Sequence, residues 1–169
     1  MKKLSLLVAA VFVFAALVGA ASNKVMVEAE KYTSITPSMA KASDSLASGG
    51  FCVQVPVARP HGTTEGASKD QGKAVYTVNV PSAGTYRFWA RTWWFDGCGN
   101  SFHLKIGTKP AVVLGQDGTY KKWHWVKGPV MQLPAGTVTI VVQNREDGAK
   151  LDQFLLTKDQ RYIPVRAER

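Results

Sequence analysis

Apolar and polar residues alternate in short runs along the chain, and this period of two predicts β-strands. In residues 85–94, for example, Tyr86, Phe88 and Ala90 fall on one face of the predicted strand. Comparable runs occupy residues 25–30, 51–56, 73–80, 101–107, 123–127, 129–133, 137–143 and 151–157. Gly, Pro and Asn separate the runs, and no long stretch has a helical period. Eight or nine strands at this spacing predict an all-β jelly-roll β-sandwich.

Two stretches, residues 32–50 and 58–72, lack this alternation. Both are longer than the turns of about two to five residues that usually join the strands of a hairpin. Long loops on a β scaffold often carry binding residues. We therefore expect these two segments to be loops that contribute to function.

The first 21 residues have the pattern of a secretory signal peptide. Lys2 and Lys3 form a basic start, residues 4–21 carry no charge, and the apolar run ends in small residues. An uncleaved membrane anchor is the alternative, because about 18 apolar residues is the lower limit for a span. The small residues at the end of the run and the absence of basic residues just after it favour cleavage.

Cleavage after residue 21 removes Lys2 and Lys3, which leaves 148 residues and lowers the formal charge from +9 to +7. We expect residues 22–158 to form one domain and residues 159–169 a polar, basic C-terminal tail. The destination is extracellular or periplasmic. We expect a monomer that binds no nucleic acid, despite its basic charge, and no membrane after cleavage.

The sequence shows none of the residue arrangements that are typical of a catalytic site. The three His residues have no ligand spacing with one another, and the Gly-rich turn at residues 97–99 lacks the following helix of a phosphate-binding loop. No nucleophile with an adjacent base is evident. The sequence therefore predicts a protein that is not an enzyme.

The aromatic content is high, with five Trp, five Tyr and seven Phe. These residues concentrate in residues 89–95 and 123–125. Exposed aromatic rings can cover the CH faces of sugars, while Asp, Asn and Arg side chains bind hydroxyl groups. The two segments are therefore candidates for a sugar platform.

Three motifs occur in a characteristic order. Val27-Glu28-Ala29-Glu30 lies in the first strand, Ala83-Gly84-Thr85-Tyr86 starts the longest strand, and Leu151-Asp152-Gln153-Phe154 lies in the last. In this order and spacing, residues 25–157 resemble the carbohydrate-binding modules of families 6 and 35. The resemblance implies a galactose-binding-domain-like jelly roll that binds a polysaccharide or glycan and is not itself catalytic.

The resemblance also implies a structural Ca²⁺ between the first and last strands. Its carboxylate ligands would be Glu28, Glu30 and Asp152, completed by backbone carbonyls of residues 45–50. Glu28 and Glu30 are two apart, which places them on the same face of a strand, and Ca²⁺ prefers oxygen ligands. The alternative is that both glutamates face water beside Lys24 and Lys31.

For the sugar site, the resemblance implies an aromatic residue after the longest strand and polar residues in the loop before the last strand. Together with a nearby basic residue, the candidates are Trp93, Trp94, Asp96, Asn100, Arg91, Asn144, Arg145 and Glu146. Adjacent strand residues face opposite sides, so one of the two tryptophans is expected in the core.

The basic charge suggests a preference for acidic glycans, since Arg91, Arg145 and Lys150 could lie near the site. The alternative is that the charge only promotes solubility. A second function class also remains open, in which the secreted sandwich is an adhesion or protein-interaction module without sugar binding. Surface aromatics would then form a protein interface.

Cys52 and Cys98 are the two cysteines of the chain. In an oxidising compartment two cysteines usually pair, so we expect a disulfide that holds the aromatic loop in place. A bridge of this span would stabilise the fold by about 4 kcal/mol in the chain-entropy model.

Overall fold

The computed structural model describes residues 23–57 and 72–168. The predicted signal peptide, residues 1–21, lies outside the described residues, as does the predicted loop 58–72 except for Gly72. Within the described part, the chain forms eleven strands and two 3₁₀ turns. No helix in this part is long and apolar enough to cross a membrane.

Six strands form sheet A. They are β1 (Lys24–Glu28), β3 (Ala40–Ser43), β4 (Phe51–Gln54), β6 (Gly84–Trp93), β9 (Trp123–Leu133) and β11 (Lys150–Thr157). The order is β3-β4-β11-β6-β9, and all pairs are antiparallel. β1 pairs with β11 on the same edge as β4, further along the strand. β11 therefore lies in the middle of the sheet.

Five strands form sheet B. They are β2 (Ser34–Ile35), β5 (Lys73–Val80), β7 (Ser101–Ile106), β8 (Val112–Gly115) and β10 (Gly136–Asn144). Their order is β2-β5-β10-β7-β8, and every pair is antiparallel. The predicted all-β jelly-roll β-sandwich is confirmed.

The core lies between the two sheets, because the alternating apolar residues of both face inward. An aromatic cluster marks its centre. Phe154 of β11 lies 4.9 Å from Tyr76 and 5.5 Å from Phe88, measured between ring centroids. The buried Tyr76 hydroxyl donates a hydrogen bond to the carbonyl of Ala29 at 3.0 Å, which satisfies its polar group.

Three strands differ from the sequence prediction. β2 and β3 lie inside residues 32–50, which we expected to be a loop, and β8 was not predicted. The two runs at residues 123–133 form one strand, because Gly128 lets the chain continue close to Phe88. A Cβ at position 128 would lie 2.8 Å from the Phe88 ring, so only glycine fits there without a shift.

The outward face of sheet A is covered in two places. Residues 44–50 cross it near β11, where the Ser48 amide donates to Asp152 Oδ1 at 2.8 Å. Residues 159–168, predicted as a polar tail, cross it near β9, where Trp125 Nε1 donates to the carbonyl of Arg166 at 2.8 Å. The uncovered part of this face lies between these two segments.

Candidate functional site

Three of the predicted sugar-binding residues, Asn100, Arg145 and Glu146, share a largely buried polar cluster, and a fourth, Asn144, is buried with a different partner. Glu146 is only 3% exposed, and its Oε2 accepts hydrogen bonds from the Asn100 amide at 2.9 Å and from Ser101 Oγ at 2.7 Å. Its other oxygen pairs with Arg145. Asn144 is 5% exposed and donates from Nδ2 to Ser38 Oγ at 2.8 Å. The contacts of Glu146 join the loop after β6 to the loop after β10, and Asn144 joins the end of β10 to the segment between β2 and β3.

Glu146, Asn144, Asn100 and Trp94 are all buried, so their side chains are not accessible to a ligand in this conformation. Trp94 is 0% exposed, with its ring 5.6 Å from that of Phe102 in the core. This agrees with the expectation from alternation that one of the two tryptophans is internal.

Asp96 organises the turn after β6. Its Oδ1 accepts hydrogen bonds from the amides of Cys98 at 2.8 Å and Gly99 at 2.9 Å, as in an Asx turn. The neighbouring Phe95 packs against Gly148, where a Cβ would lie 2.7 Å from that of Phe95. Gly148 has a φ of +82°, a second reason for glycine at this position. This end of the sandwich is tightly built, with Asp96 and Arg145 half-buried at its surface.

The aromatic segments 89–95 and 123–125 lie side by side on the outward face of sheet A. The pairing of β6 with β9 places Trp93 opposite Trp123 and Arg91 opposite Trp125. All four side chains are half-buried. We call Trp93, Trp123, Trp125 and Arg91, with the adjoining Lys150, the Trp face.

Cations lie over two of these rings. Lys150 Nζ is 4.8 Å from the centroid of the Trp93 ring, and Arg91 Cζ is 5.3 Å from that of Trp123. Cation–π contacts of this kind hold long basic side chains in place. The rings and the basic groups are therefore ordered together, with hydrogen-bond donors beside aromatic surfaces.

A groove of about 500 Å³ opens along the Trp face. Its floor and sides are formed by Trp89, Arg91 and residues 122–125, together with residues 163–167 from the covering segment. Of the predicted site residues, Arg91 lines this groove and Trp93 lies next to Trp123. Trp123 and Trp125 belong to the segment predicted as a sugar platform, although they were not among the named site residues, and Lys122 was not predicted.

The charges around the groove are unbalanced. Arg91 pairs with Asp152, and Lys150 Nζ lies 3.0 Å from Asp44 Oδ2. Burial alone would raise the pKa of Asp44, but the hydrogen bond from Lys150 and neighbouring donors outweigh it and lower the pKa overall. Lys122 and Arg166 are exposed and form no salt bridge within the described residues. The groove therefore carries a net positive charge.

The three predicted Ca²⁺ ligands meet at the 3₁₀ turn Ser48–Gly50. Ser48 Oγ donates to Glu28 Oε1 at 2.9 Å, and its amide donates to Asp152. A Cβ at Gly49 would lie 3.5 Å from Glu30 Oε1. Glu30 lies in a 3₁₀ turn after β1, so this turn, not strand alternation, brings it to the same place as Glu28.

Two carboxylate oxygens of this cluster, Glu28 Oε2 and Glu30 Oε2, are buried without a hydrogen-bond partner. Asp152 differs, because Arg91 already binds its second oxygen. Burial raises the pKa of Asp152 to about 6, although Arg91 and Ser48 act in the opposite direction. Among residues 23–57 and 72–168, no group of three His, Cys, Asp or Glu side chains has a metal-binding arrangement. The two glutamates fit a cation, and Asp152 as oriented here does not.

The predicted disulfide between Cys52 and Cys98 is absent, and both residues are free thiols. Cys52 is buried in β4, on the outward face that residues 44–50 cover, whereas Cys98 is exposed in the turn after β6. Burial raises the pKa of the Cys52 thiol to about 11. The loop is held by Asp96 and Glu146 instead of by a bridge.

The sequence matches no protein-family model and no curated protein. The structure, in contrast, is similar to solved carbohydrate-binding modules. A family 35 module from Clostridium thermocellum is 19% identical, with a TM-score of 0.61, over 79% of this chain and 98% of the module. A family 6 module from Cellvibrio mixtus lichenase 5A, in complex with cellotriose, is 17% identical, with a TM-score of 0.58, over 80% of this chain and 98% of the module.

A third similar structure belongs to a larger enzyme. The GH26-CBM35 β-(1,4)-mannanase from Podospora anserina is 15% identical, with a TM-score of 0.62, over 84% of this chain. The chain spans 29% of that enzyme. At these identities the comparisons establish a shared fold, which is that of the family 6 and 35 modules.

Proposed function

We propose that this protein is a secreted, non-catalytic carbohydrate-binding module that binds a polysaccharide or glycan in the groove along the Trp face. The observation that carries the proposal is the set of three adjacent, half-exposed Trp rings with Arg91 and Lys150 over two of them. Aromatic rings stack on the CH faces of sugars, while guanidinium and ammonium groups donate hydrogen bonds to hydroxyl oxygens.

The shared fold supports this proposal, because one of the similar structures is a module in complex with cellotriose. The site lies on the face of the sheet, next to the predicted loop site. At the loop end, buried contacts already use Asn100 Nδ2, Asn144 Nδ2 and both carboxylate oxygens of Glu146. The Trp face keeps aromatic area accessible.

The preferred ligand of the groove is an acidic glycan, one that carries uronate or sulfate groups. Lys122 and Arg166 line the groove without a salt-bridge partner among the described residues, and Lys127 continues β9 as an exposed residue. Acidic groups on the ligand would pair with these cations. Surface attraction of this kind is screened by salt, so affinity should fall as ionic strength rises.

A structural Ca²⁺ belongs to the same proposal. Glu28 and Glu30 would hold it through their partnerless buried oxygens, with backbone carbonyls of the neighbouring turn as further oxygen ligands. Asp152 would join them only by leaving Arg91. Bound Ca²⁺ would neutralise two neighbouring carboxylates and tie β1 to the segment that covers sheet A.

The alternative function, protein interaction without sugar binding, is favoured by a different surface. An apolar cleft of about 480 Å³ opens between β8 and β9, at the edges of the two sheets. Val112 and Val130 line it and are 40% and 45% exposed. Exposed apolar area of this kind is typical of protein interfaces.

A glycan-binding screen tests the main proposal. Purified wild-type protein is titrated with neutral and acidic polysaccharides at two salt concentrations, beside Trp123→Ala and a matched control, His103→Ala, on the outward face of sheet B. Trp123→Ala should weaken binding about tenfold or more, which corresponds to about 1.4 kcal/mol, and His103→Ala should not. Binding that survives Trp123→Ala, or absence of binding to every glycan, would reject the site or the function respectively.

Melting curves with and without chelator test the cation. Wild type should lose thermal stability when Ca²⁺ is removed, since ligands that bind only the folded state stabilise it. Glu30→Gln should abolish this shift, whereas Asp117→Asn, at a distant acidic residue, should retain it. An unchanged melting temperature on chelation, together with no metal by elemental analysis, would remove Ca²⁺ from the proposal.

A further inference from the structure

Residues 159–168 lie over the outward face of sheet A in an extended, largely irregular conformation. Their apolar side chains divide into two kinds. Pro164 is buried against the sheet, while Ile163 and Val165 are 68% and 84% exposed. A segment that leaves most of its apolar area in water gains little from the hydrophobic effect.

Beneath this segment lies the continuation of the Trp face. Trp89 points to the same side of β6 as Arg91 and Trp93, yet it is only 7% exposed. Residues 163–167 form the groove wall beside it, and the Arg166 carbonyl accepts the hydrogen bond of Trp125 Nε1 at 2.8 Å. The segment thus covers Trp89 and part of Trp125, which continue the Trp face along the sheet.

A small set of polar contacts holds the end of the segment. The Glu168 amide donates to Gln153 Oε1 at 2.9 Å, and Gln153 Nε2 donates to the Glu168 carbonyl at 2.8 Å. The Glu168 carboxylate binds Lys24 Nζ at 3.0 Å and also accepts from Tyr162 Oη. The Lys24 side chain is 41% exposed, and salt bridges at such positions contribute little to stability.

From this arrangement we propose that residues 163–168 are a displaceable cover, and that a long glycan chain removes it to bind a second subsite at Trp89 and Trp125. The proposal rests on the proposed function, whose site is the open part of the Trp face, formed by Trp93, Trp123 and the exposed part of Trp125. The ligand of the second subsite is of the same class, a polysaccharide chain whose further sugar units stack on the newly exposed rings.

The geometry sets the chain length at which the cover should matter. Trp93 and Trp89 are four residues apart on one strand, a distance of about 13 Å at the usual rise per residue. A short oligosaccharide that occupies the open half gains nothing from displacing the cover. A longer chain gains contacts with Trp89 and with the covered part of Trp125. Its apparent affinity equals its affinity for the open form multiplied by the fraction of molecules in that form.

The decisive comparison uses the full chain and a variant that ends after Lys158, with Glu168→Gln as an intermediate and Asp159→Asn as a charge-matched control. Without ligand, removal of the cover should increase acrylamide quenching of Trp fluorescence, and trypsin should cut the full chain after Arg161 and Arg166 while leaving the domain intact. Unchanged quenching, or resistance of these sites to trypsin, would overturn a displaceable cover.

Affinity is then measured for trimers and hexamers of cello-oligosaccharides and oligogalacturonates. The truncated variant should bind the cello-hexamer about tenfold more tightly than the full chain, with the cello-trimer unchanged, and Glu168→Gln should lie between them. For oligogalacturonates the readout is the ratio of hexamer to trimer affinity, because truncation also removes Arg166 from the groove. If the full chain binds glycan but truncation leaves hexamer affinity unchanged or weakens it, the segment is a fixed wall and only this inference fails. If no variant binds any glycan, the proposed function fails and the second subsite with it.

Discussion

The two outward faces of the sandwich are built differently, although the two sheets contribute similar residues to the core between them. On the central strand β11 of sheet A, the outward residues Gln153, Leu155 and Thr157 are all 0% exposed. On the central strand β10 of sheet B, the outward Thr137 and Thr139 are exposed. Sheet B therefore has an ordinary solvated face, whereas two covering segments turn much of the sheet A face into a second interior.

This difference accounts for the four tryptophans on the outward face of sheet A. A two-layer sandwich needs apolar residues on one face of each strand only, and the outward positions are then polar. β6 and β9 instead place Trp89, Trp93, Trp123 and Trp125 on the outward face of sheet A. Part of that face is covered and part is open. The tryptophans therefore contact the covering segment on one side and line an open aromatic groove on the other.

The largest expected effect distinguishes the two thiols. Cys52 lies in the covered interior with a pKa raised to about 11, while Cys98 is exposed. At pH 8, Cys98 should react with a disulfide reagent more than about 100-fold faster than Cys52, because the thiolate is the reactive form. Stopped-flow labelling with Cys98→Ser as the control measures this ratio. Equal rates would show that residues 44–50 do not protect Cys52. The absence of any titratable thiol before reduction would show that the two cysteines are bridged.

A second prediction compares matched apolar residues on the two outward faces. Leu155→Ala in β11 should destabilise the protein by about 3 kcal/mol, because it leaves a cavity in a covered interior. Val141→Ala in β10, on the half-buried outward face of sheet B, should cost about 1 kcal/mol or less. Urea unfolding measures both. Similar losses for the two variants would mean that the covering segments contribute no packing.

The smallest expected effect concerns the Asp44–Lys150 salt bridge, at the start of the covering segment 44–50. Asp44→Asn should cost about 1 kcal/mol or less, since the pair is partly exposed. The folded-state pKa of Asp44 is lowered, so its contribution is present above the unfolded pKa and is lost as the pH falls through the folded value. The stability difference between wild type and variant should therefore vanish in strong acid. A difference that grows on acidification would contradict this assignment.

Much of the fold was predictable because the long strands alternate strictly. β5 and β10 were located to within one residue at each end, since every second residue is apolar over a full strand. The strands that were missed, β2, β3 and β8, have two to four residues, which is too short for a period to be visible. Pairing with distant strands stabilises them, and this information is not local.

The site was predictable only in part, for a similar reason. The aromatic segments were identified from composition, and one tryptophan was assigned to the core from alternation. Alternation alone does not show that Trp93 lies opposite Trp123, because that depends on the register of two strands about 30 residues apart along the chain. Asn144 ends β10 on the same side as the inward Ile140 and Val142, so alternation accounts for its orientation. The inward orientation of Glu146 depends on loop packing, which has no period.

The position of β11 has a consequence for the order of folding. This strand follows all the others along the described chain, yet it lies in the middle of sheet A, bonded to β1 and β4 on one edge and to β6 on the other. Sheet A cannot close until residues 150–157 have left the ribosome, because β1 and β6 have no other strand to join them. We therefore expect slow, late and cooperative folding, which is typical of topologies dominated by non-local pairing.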